Sequence, residues 1–170
     1  MRAELEADFE EFVAASADRF FRTAYAITRD EDRAGDAVRS ALAATYSHWR
    51  RVSAAGQPET YVRRMIVNEI LGWGRRRSSA VRPITELTKR PPARTTGQRV
   101  VDTDVVWTAL LELPVSQRAL IVLRYYERLP EDEIAATLGI SPETVGPQSA
   151  AALADVSRLV TKTTRQAARA

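Results

Sequence analysis

The chain of 170 residues contains no cysteine, which removes disulfides, thiolate metal sites and thiol nucleophiles together. Its single histidine, His48, cannot build a metal cluster alone, and its setting in ATYSHWRRV reads as a helix-surface or helix-end position. A glycine-rich phosphate loop is missing too, so no catalytic set or cofactor site assembles and the expectation is a protein that is not an enzyme. No apolar run approaches the ~18 residues of a membrane span. The opening MRAELEADFEEF is acidic where a signal peptide starts basic, and a cytoplasmic location is expected.

What is present is a composition of 45% hydrophobic and 28% charged residues, that of a soluble globular protein with one domain or two small ones. The net charge of +3 is modest, but its distribution is not. Between Thr60 and Arg99 there are ten arginines and lysines against Glu69 and Glu86, so a basic island sits in a chain whose remainder is net acidic. That asymmetry points to a polyanionic partner.

The stretch ETYVRRMIVNEILGWGRRR, residues 59–77, organises the rest. Val62, Met65, Ile66, Glu69, Ile70 and Trp73 advance at helical steps and predict a core-facing stripe, with Arg63, Arg64 and Asn68 off its centre. Arg75, Arg76 and Arg77 follow at the helix end, where the macrodipole favours cations and guanidinium forks suit phosphate oxygens. The alternative is that the triplet only solvates a helix terminus. Upstream, residues 5–28 predict two short helices or one kinked near Ser16 to Asp18, and Asp30 is placed as N-cap of a helix over 31–51. SAAGQP, residues 53–58, is a turn.

Residues 78–103 mix Ser, Pro, Thr, Arg and Gly with few apolar side chains, which predicts a flexible basic linker between two independently moving domains. From Asp104 the helical pattern resumes, and Leu120, Ile121, Leu123, Tyr125 and Tyr126 are expected in the core. A short helix opened by Pro130 and acids ends at Gly139, and a second starts with Ser141 as N-cap and Pro142 at its first position. This is a helix-turn-helix pattern, the unit that lays its second helix in a DNA major groove. Gly146 and Pro147 predict that this second helix breaks, leaving residues 141–145 as an isolated turn with helix resuming near Gln148; the alternative is that Pro147 starts the helix and Gly146 closes a longer turn.

Three stretches together resemble the extracytoplasmic-function sigma factors, the small two-domain specificity subunits of bacterial RNA polymerase, and most closely an actinobacterial sigma-E-like branch. They are FEEFVAASADRFFRTAYAITRDEDRAGDAV, ETYVRRMIVNEILGWGRRRSS and LPVSQRALIVLRYYERLPEDEIAATLGISPETV. The resemblance implies an all-α fold, with residues 1–77 binding core polymerase and melting the minus-ten element and residues 104–170 reading the minus-35 element. It implies DNA contacts by Tyr61, Arg64, Asn68, Arg75, Arg76 and Arg77, and by Ser141, Thr144 and Gln148 in the helix-turn-helix. Trp73 is aromatic as a stacking platform would be, but its place in the apolar stripe favours the core.

Two departures stand out. The family's acidic-Leu-Val-Gln-Glu run, which contacts the polymerase, here reads Asp36-Ala37-Val38-Arg39-Ser40, so polymerase binding would rest on Asp36, Val38 and Arg39. The basic residues usual after Thr-Val in the recognition helix are replaced by Gly146-Pro147-Gln148. Two readings follow. One is a sigma factor that recruits core polymerase to promoter DNA. The other is a sigma-like regulator that works through protein contacts, with an anti-sigma factor or a partner sigma subunit.

Overall fold

A computed structural model describes residues 2–78 and 98–168, with side chains over 3–73 and 105–168, and all of its secondary structure is helical. Most of the expected linker, residues 79–97, lies outside the described residues, and α5 (Gln98–Glu112) begins six residues ahead of Asp104.

Helix α1 spans Arg2–Thr28 without a break at Ser16. Ser16 is buried one helical turn from both Phe12 and Phe20, whose rings approach to 6.0 Å, so a small side chain there lets the stripe close. Arg29 ends the helix in a left-handed conformation (φ 53°), its N–H donating to Tyr25 O at 2.7 Å. Helix α2 (Glu31–Tyr46) is capped by Asp30, whose carboxylate accepts from Arg33 N at 3.0 Å. It stops short of the expected residue 51, because the chain turns at His48 and restarts as α3 (Trp49–Ala54). That turn aims Trp49 inward, against Phe9 and Phe12, with its Nε1 donating to Asp8 at 2.9 Å. His48 stays exposed at the helix end, as its sequence setting suggests, with Nδ1 3.1 Å from Ala44 O.

After Gly56, which takes φ 74°, α4 (Pro58–Ser78) runs unbroken through the organising stretch. Helix α6 (Val115–Ile121) widens into a π-helical turn over Val122–Tyr126. The extra residue in that turn explains a difference from expectation: Leu120 and Leu123 are buried, but Tyr125 and Tyr126 rotate out and stand about half exposed. Then come α7 (Glu131–Leu138), closed by Gly139 at φ 68°, and α8 (Pro142–Ala167).

Helix α8 does not break at Pro147. Proline removes one N–H, and its natural acceptor, the carbonyl of Glu143, lies in the first turn; both residues are exposed, so the missing bond falls on the solvent side of the helix start. Buried Val145, Ser149 and Ala152 hold the helix on both sides of the defect. Gly146 contributes nothing that requires glycine: a Cβ there would meet only Glu131 Oε1, at 3.8 Å. Gly146→Ala is therefore expected to stabilise the protein by about 0.5–1 kcal/mol, read as a rise in the thermal midpoint. A fall would show that the turn depends on glycine.

The two halves are not independent. One core takes Phe20, Ile27, Val62, Ile66 and Val67 from the first and Leu120, Leu123, Ile134 and Val145 from the second. Helix α4 packs on α7, and α1 packs on α6 and its π-turn. The polar composition of the linker could not disclose this, because the docking faces lie on the helices it joins.

Candidate nucleic-acid and polymerase interface

On α4, Val62, Ile66 and Ile70 face the core, while Arg64 and Asn68 stand exposed one turn apart and Tyr61 is half-buried beside them. Among the described residues neither Arg64 nor Asn68 has a side-chain partner. Trp73 leans on the core and donates Nε1–H to Glu69 at 3.0 Å, so it belongs to the scaffold rather than to a stacking surface. The backbone of α4 continues as helix through Arg75, Arg76 and Arg77 to Ser78, but the side chains of this triplet lie outside the described residues.

Arg63 departs from the expected wet flank. It is only 3% exposed, because α7 covers that side of α4, and its Nη1 lies 3.4 Å from Glu133 Oε2. Burial lowers its pKa most, with Arg19 adding repulsion, while Glu127, Glu133 and Glu59 oppose the shift. Glu127 sits at the same junction, its side chain only 8% exposed, accepting from Thr23 Oγ1 at 2.5 Å and lying 3.6 Å from Arg19 Nε. Arg19 also reaches Glu59 at 2.8 Å. A network of two arginines and three glutamates thus joins α1 and α4 to the π-turn and α7.

In the helix-turn-helix, Gly139 and Ile140 both donate N–H to Ala135 O, at 2.9 and 3.1 Å, which fixes the turn. Arg124 braces it from behind, reaching Glu131 Oε1 at 2.8 Å and Ser149 Oγ at 3.5 Å. Ser141 occupies the N-cap position of α8, but its hydroxyl makes no cap bond; Thr144 bonds back to the Ser141 carbonyl instead. Ser141, Thr144 and Gln148 are all exposed. Because α8 is continuous, Thr144 and Gln148 share one rigid line. Glu143, also solvent-exposed, has its carboxyl pKa lowered by hydrogen bonds from its own backbone N–H and the Ser141 hydroxyl, placing an anion at the start of this face.

The candidate polymerase residues on α2 divide. Asp36 and Arg39 are exposed and pair with each other, so the arginine neutralises the acid it follows. Val38 is buried in the core and cannot offer a contact surface. Sequence reasoning missed Arg63, Glu127 and Arg118 as joining residues. The available signal was an arginine next to an apolar helical stripe, in Val62-Arg63 and in Arg118-Ala119-Leu120, where only a covering element makes burial possible.

Residues 103–148 match the Sigma-70, region 4 family. Over 138 residues the chain is 33% identical to the RNA polymerase sigma-E factor of Streptomyces coelicolor, covering 81% of this chain and 77% of that protein. The sigma-E factor of Streptomyces antibioticus is 32% identical over 140 residues, covering 81% and 76%. Among solved structures, the fold is similar to that of the sigma factor RpoE in complex with the anti-sigma factor NepR from Bartonella quintana. The TM-score is 0.71 at 19% identity, over 91% of this chain and 97% of that one, a likeness of fold alone. With the helix-turn-helix, the exposed face of α4 and this degree of identity to sigma-E factors, the chain belongs to the extracytoplasmic-function sigma factors.

Proposed function

We propose that this sigma factor takes core RNA polymerase to promoters with α4 on the melted minus-ten strand and α7–α8 on the minus-35 duplex. The observation that carries the assignment of α4 is its exposed pair Arg64 and Asn68, one turn apart and without side-chain partners among the described residues, on a helix that continues into Arg75, Arg76 and Arg77. Tyr61 borders that face. On α8, Ser141, Thr144 and Gln148 supply small polar groups for base edges, and the unbroken helix holds them in line. That continuity removes the main reason for preferring a regulator that has lost duplex reading. On α2, Asp36 and Arg39 meet the polymerase.

The two promoter elements lie ~25 base pairs apart, about 85 Å on B-form DNA. With α4 packed on α7 the chain cannot span them, so the closed arrangement is the free form and the halves separate on the polymerase. An anti-sigma factor or a partner sigma subunit fits as a ligand that selects the closed form.

The test is assembly. Purified protein mixed with core polymerase at micromolar concentration should co-elute on size exclusion. On a forked promoter DNA, that complex should lose up to ~3 units of salt slope when Arg75, Arg76 and Arg77 are changed to Ala. Separate elution removes the sigma assignment of these surfaces; an unchanged slope removes only the triplet.

A further inference from the structure

Charge is divided along α8 in a way the helix-turn-helix does not require. Residues 142–157 carry Glu143 and Asp155 and no cation, whereas residues 158–167 carry Arg158, Lys162 and Arg165 and no acid. All three cations are exposed, and the first is 78% exposed at its side chain. They lie at i, i+4 and i+7, one face of the helix. With Ser157, Thr161 and Gln166 they line a surface depression of ≈ 680 Å³ that contains no carboxylate and no apolar side chain.

The macrodipole explains only part of this. Its influence fades within the last turn, which holds Arg165 but neither Lys162 nor Arg158. Intramolecular pairing explains less. Among the described residues Lys162 and Arg165 have no acidic partner, and Arg158, itself largely exposed, pairs only with half-buried Asp155, a contact worth little at a wet surface.

Register ties the stripe to the reading face. From Thr144 to Lys162 is 18 residues, five turns at 3.6 residues per turn, so Lys162 lies in line with Thr144, ~27 Å farther along the same rod. Gln166 stands in the same relation to Gln148. The packed side lies about a quarter turn round from this line: Ala152, Val156 and Leu159 pack with Leu110 of α5 and with Leu113 just after it. A duplex against Thr144 and Gln148 therefore runs toward the cations and away from the packed side.

We infer that Arg158, Lys162 and Arg165 form a phosphate clamp for duplex DNA, which supplies from the far end of α8 the backbone grip that its first half lacks. The clamp rests on the reading of α8 as the duplex-facing helix. Three cations along one line suit successive phosphates of one strand, and the hydroxyls and amide between them add neutral donors. The first half of α8 then carries base contacts, with little non-specific attraction of its own, and the second half carries affinity with no sequence information.

The full-length chain is titrated into a random-sequence duplex of about 30 base pairs across a salt series, followed by fluorescence anisotropy. The triple variant Arg158→Gln, Lys162→Gln, Arg165→Gln keeps helix propensity and removes exposed charge, so its thermal midpoint serves as the folding control. The expected result is a salt slope flatter by ~2–3 units and affinity at low salt reduced about tenfold or more. A second variant, Thr144→Glu with Gln148→Glu, reports whether the reading face meets the duplex at all. If it weakens binding while the triple variant binds as wild type, the clamp is wrong and the duplex-facing reading stands. If neither variant changes binding, or the wild type binds no duplex, both are wrong. Poly-glutamate is the parallel probe: loss of its binding in the triple variant, with duplex binding unchanged, assigns the stripe to an acidic protein surface and overturns the clamp.

Discussion

Replacing Arg118 with alanine is expected to cost about 3 kcal/mol or more of folding stability. One guanidinium serves four carbonyls: Nε donates to Leu110 O at 2.9 Å, Nη2 to Leu111 O at 3.2 Å and Leu113 O at 3.1 Å, and Nη1 to Ile27 O at 2.8 Å. Leu110 and Leu111 lie in the last turn of α5 and Leu113 just past it, where helical carbonyls run short of N–H partners although Leu110 O also accepts from Leu113 N at 3.2 Å, and the fourth lies near the end of α1. The side chain therefore caps two helices from the two halves of the molecule, and positive charge there also opposes their dipoles. Burial lowers the pKa of Arg118, and a guanidinium is basic enough to stay charged in proteins. Urea unfolding of Arg118→Ala measures the loss. Arg118→Lys keeps the charge but not the fork, and is expected to recover less than half; full recovery by lysine would mean that charge rather than the hydrogen bonds stabilises the junction.

The second large effect concerns assembly. Changing Glu127 and Glu133 to lysine places cations against Arg19 and the buried Arg63 and removes the carboxylate acceptor of Thr23, leaving its hydroxyl only the Arg19 carbonyl at 3.0 Å. The two halves should part while their helices persist. A chain whose competent form is a minor population binds with its dissociation constant divided by that fraction, so opening it in advance removes the deficit. The double variant is expected to show a larger hydrodynamic radius with unchanged helical circular dichroism, and to bind core polymerase about tenfold more tightly. An enlarged radius with no gain in affinity would mean that closure does not compete with the polymerase. An unchanged radius would mean that the apolar contacts around Ile66 and Ile134 hold the halves together without the ionic network.

Helix type and most caps were legible from the sequence because they depend on local rules. Asp30, Pro142 and Gly139 act where their chemistry places them, and the α4 stripe follows from spacing alone. What escaped was set by neighbours distant in the chain. Arg63 is buried because α7 covers it, Tyr125 and Tyr126 are exposed because a π-turn shifts the phase, and Val38 is core although its run resembles a contact motif. Pro147 is more instructive. The intrinsic penalty of proline predicts a break for a helix standing alone, whereas burial of Val145, Ser149 and Ala152 holds this one from both sides. For the site, exposure of Arg64, Asn68, Thr144 and Gln148 follows from pattern, but the pairing that neutralises Asp36 with Arg39 required geometry.

The continuity of α8 also has a mechanical meaning. A rod of 26 residues is ~39 Å long, and a tilt of ~10° about one end displaces the other by ~7 Å, about the spacing of phosphates along a strand. Its rear half is seated on α5, the helix into which the connecting segment runs, and its front half on α6 and α7. Tension applied to α5 through that segment, as when the halves are drawn apart, acts on a stiff beam and not on a hinge. The proline that looked like a joint leaves the beam whole, so strain at the tether arrives at the bases as a shift of register.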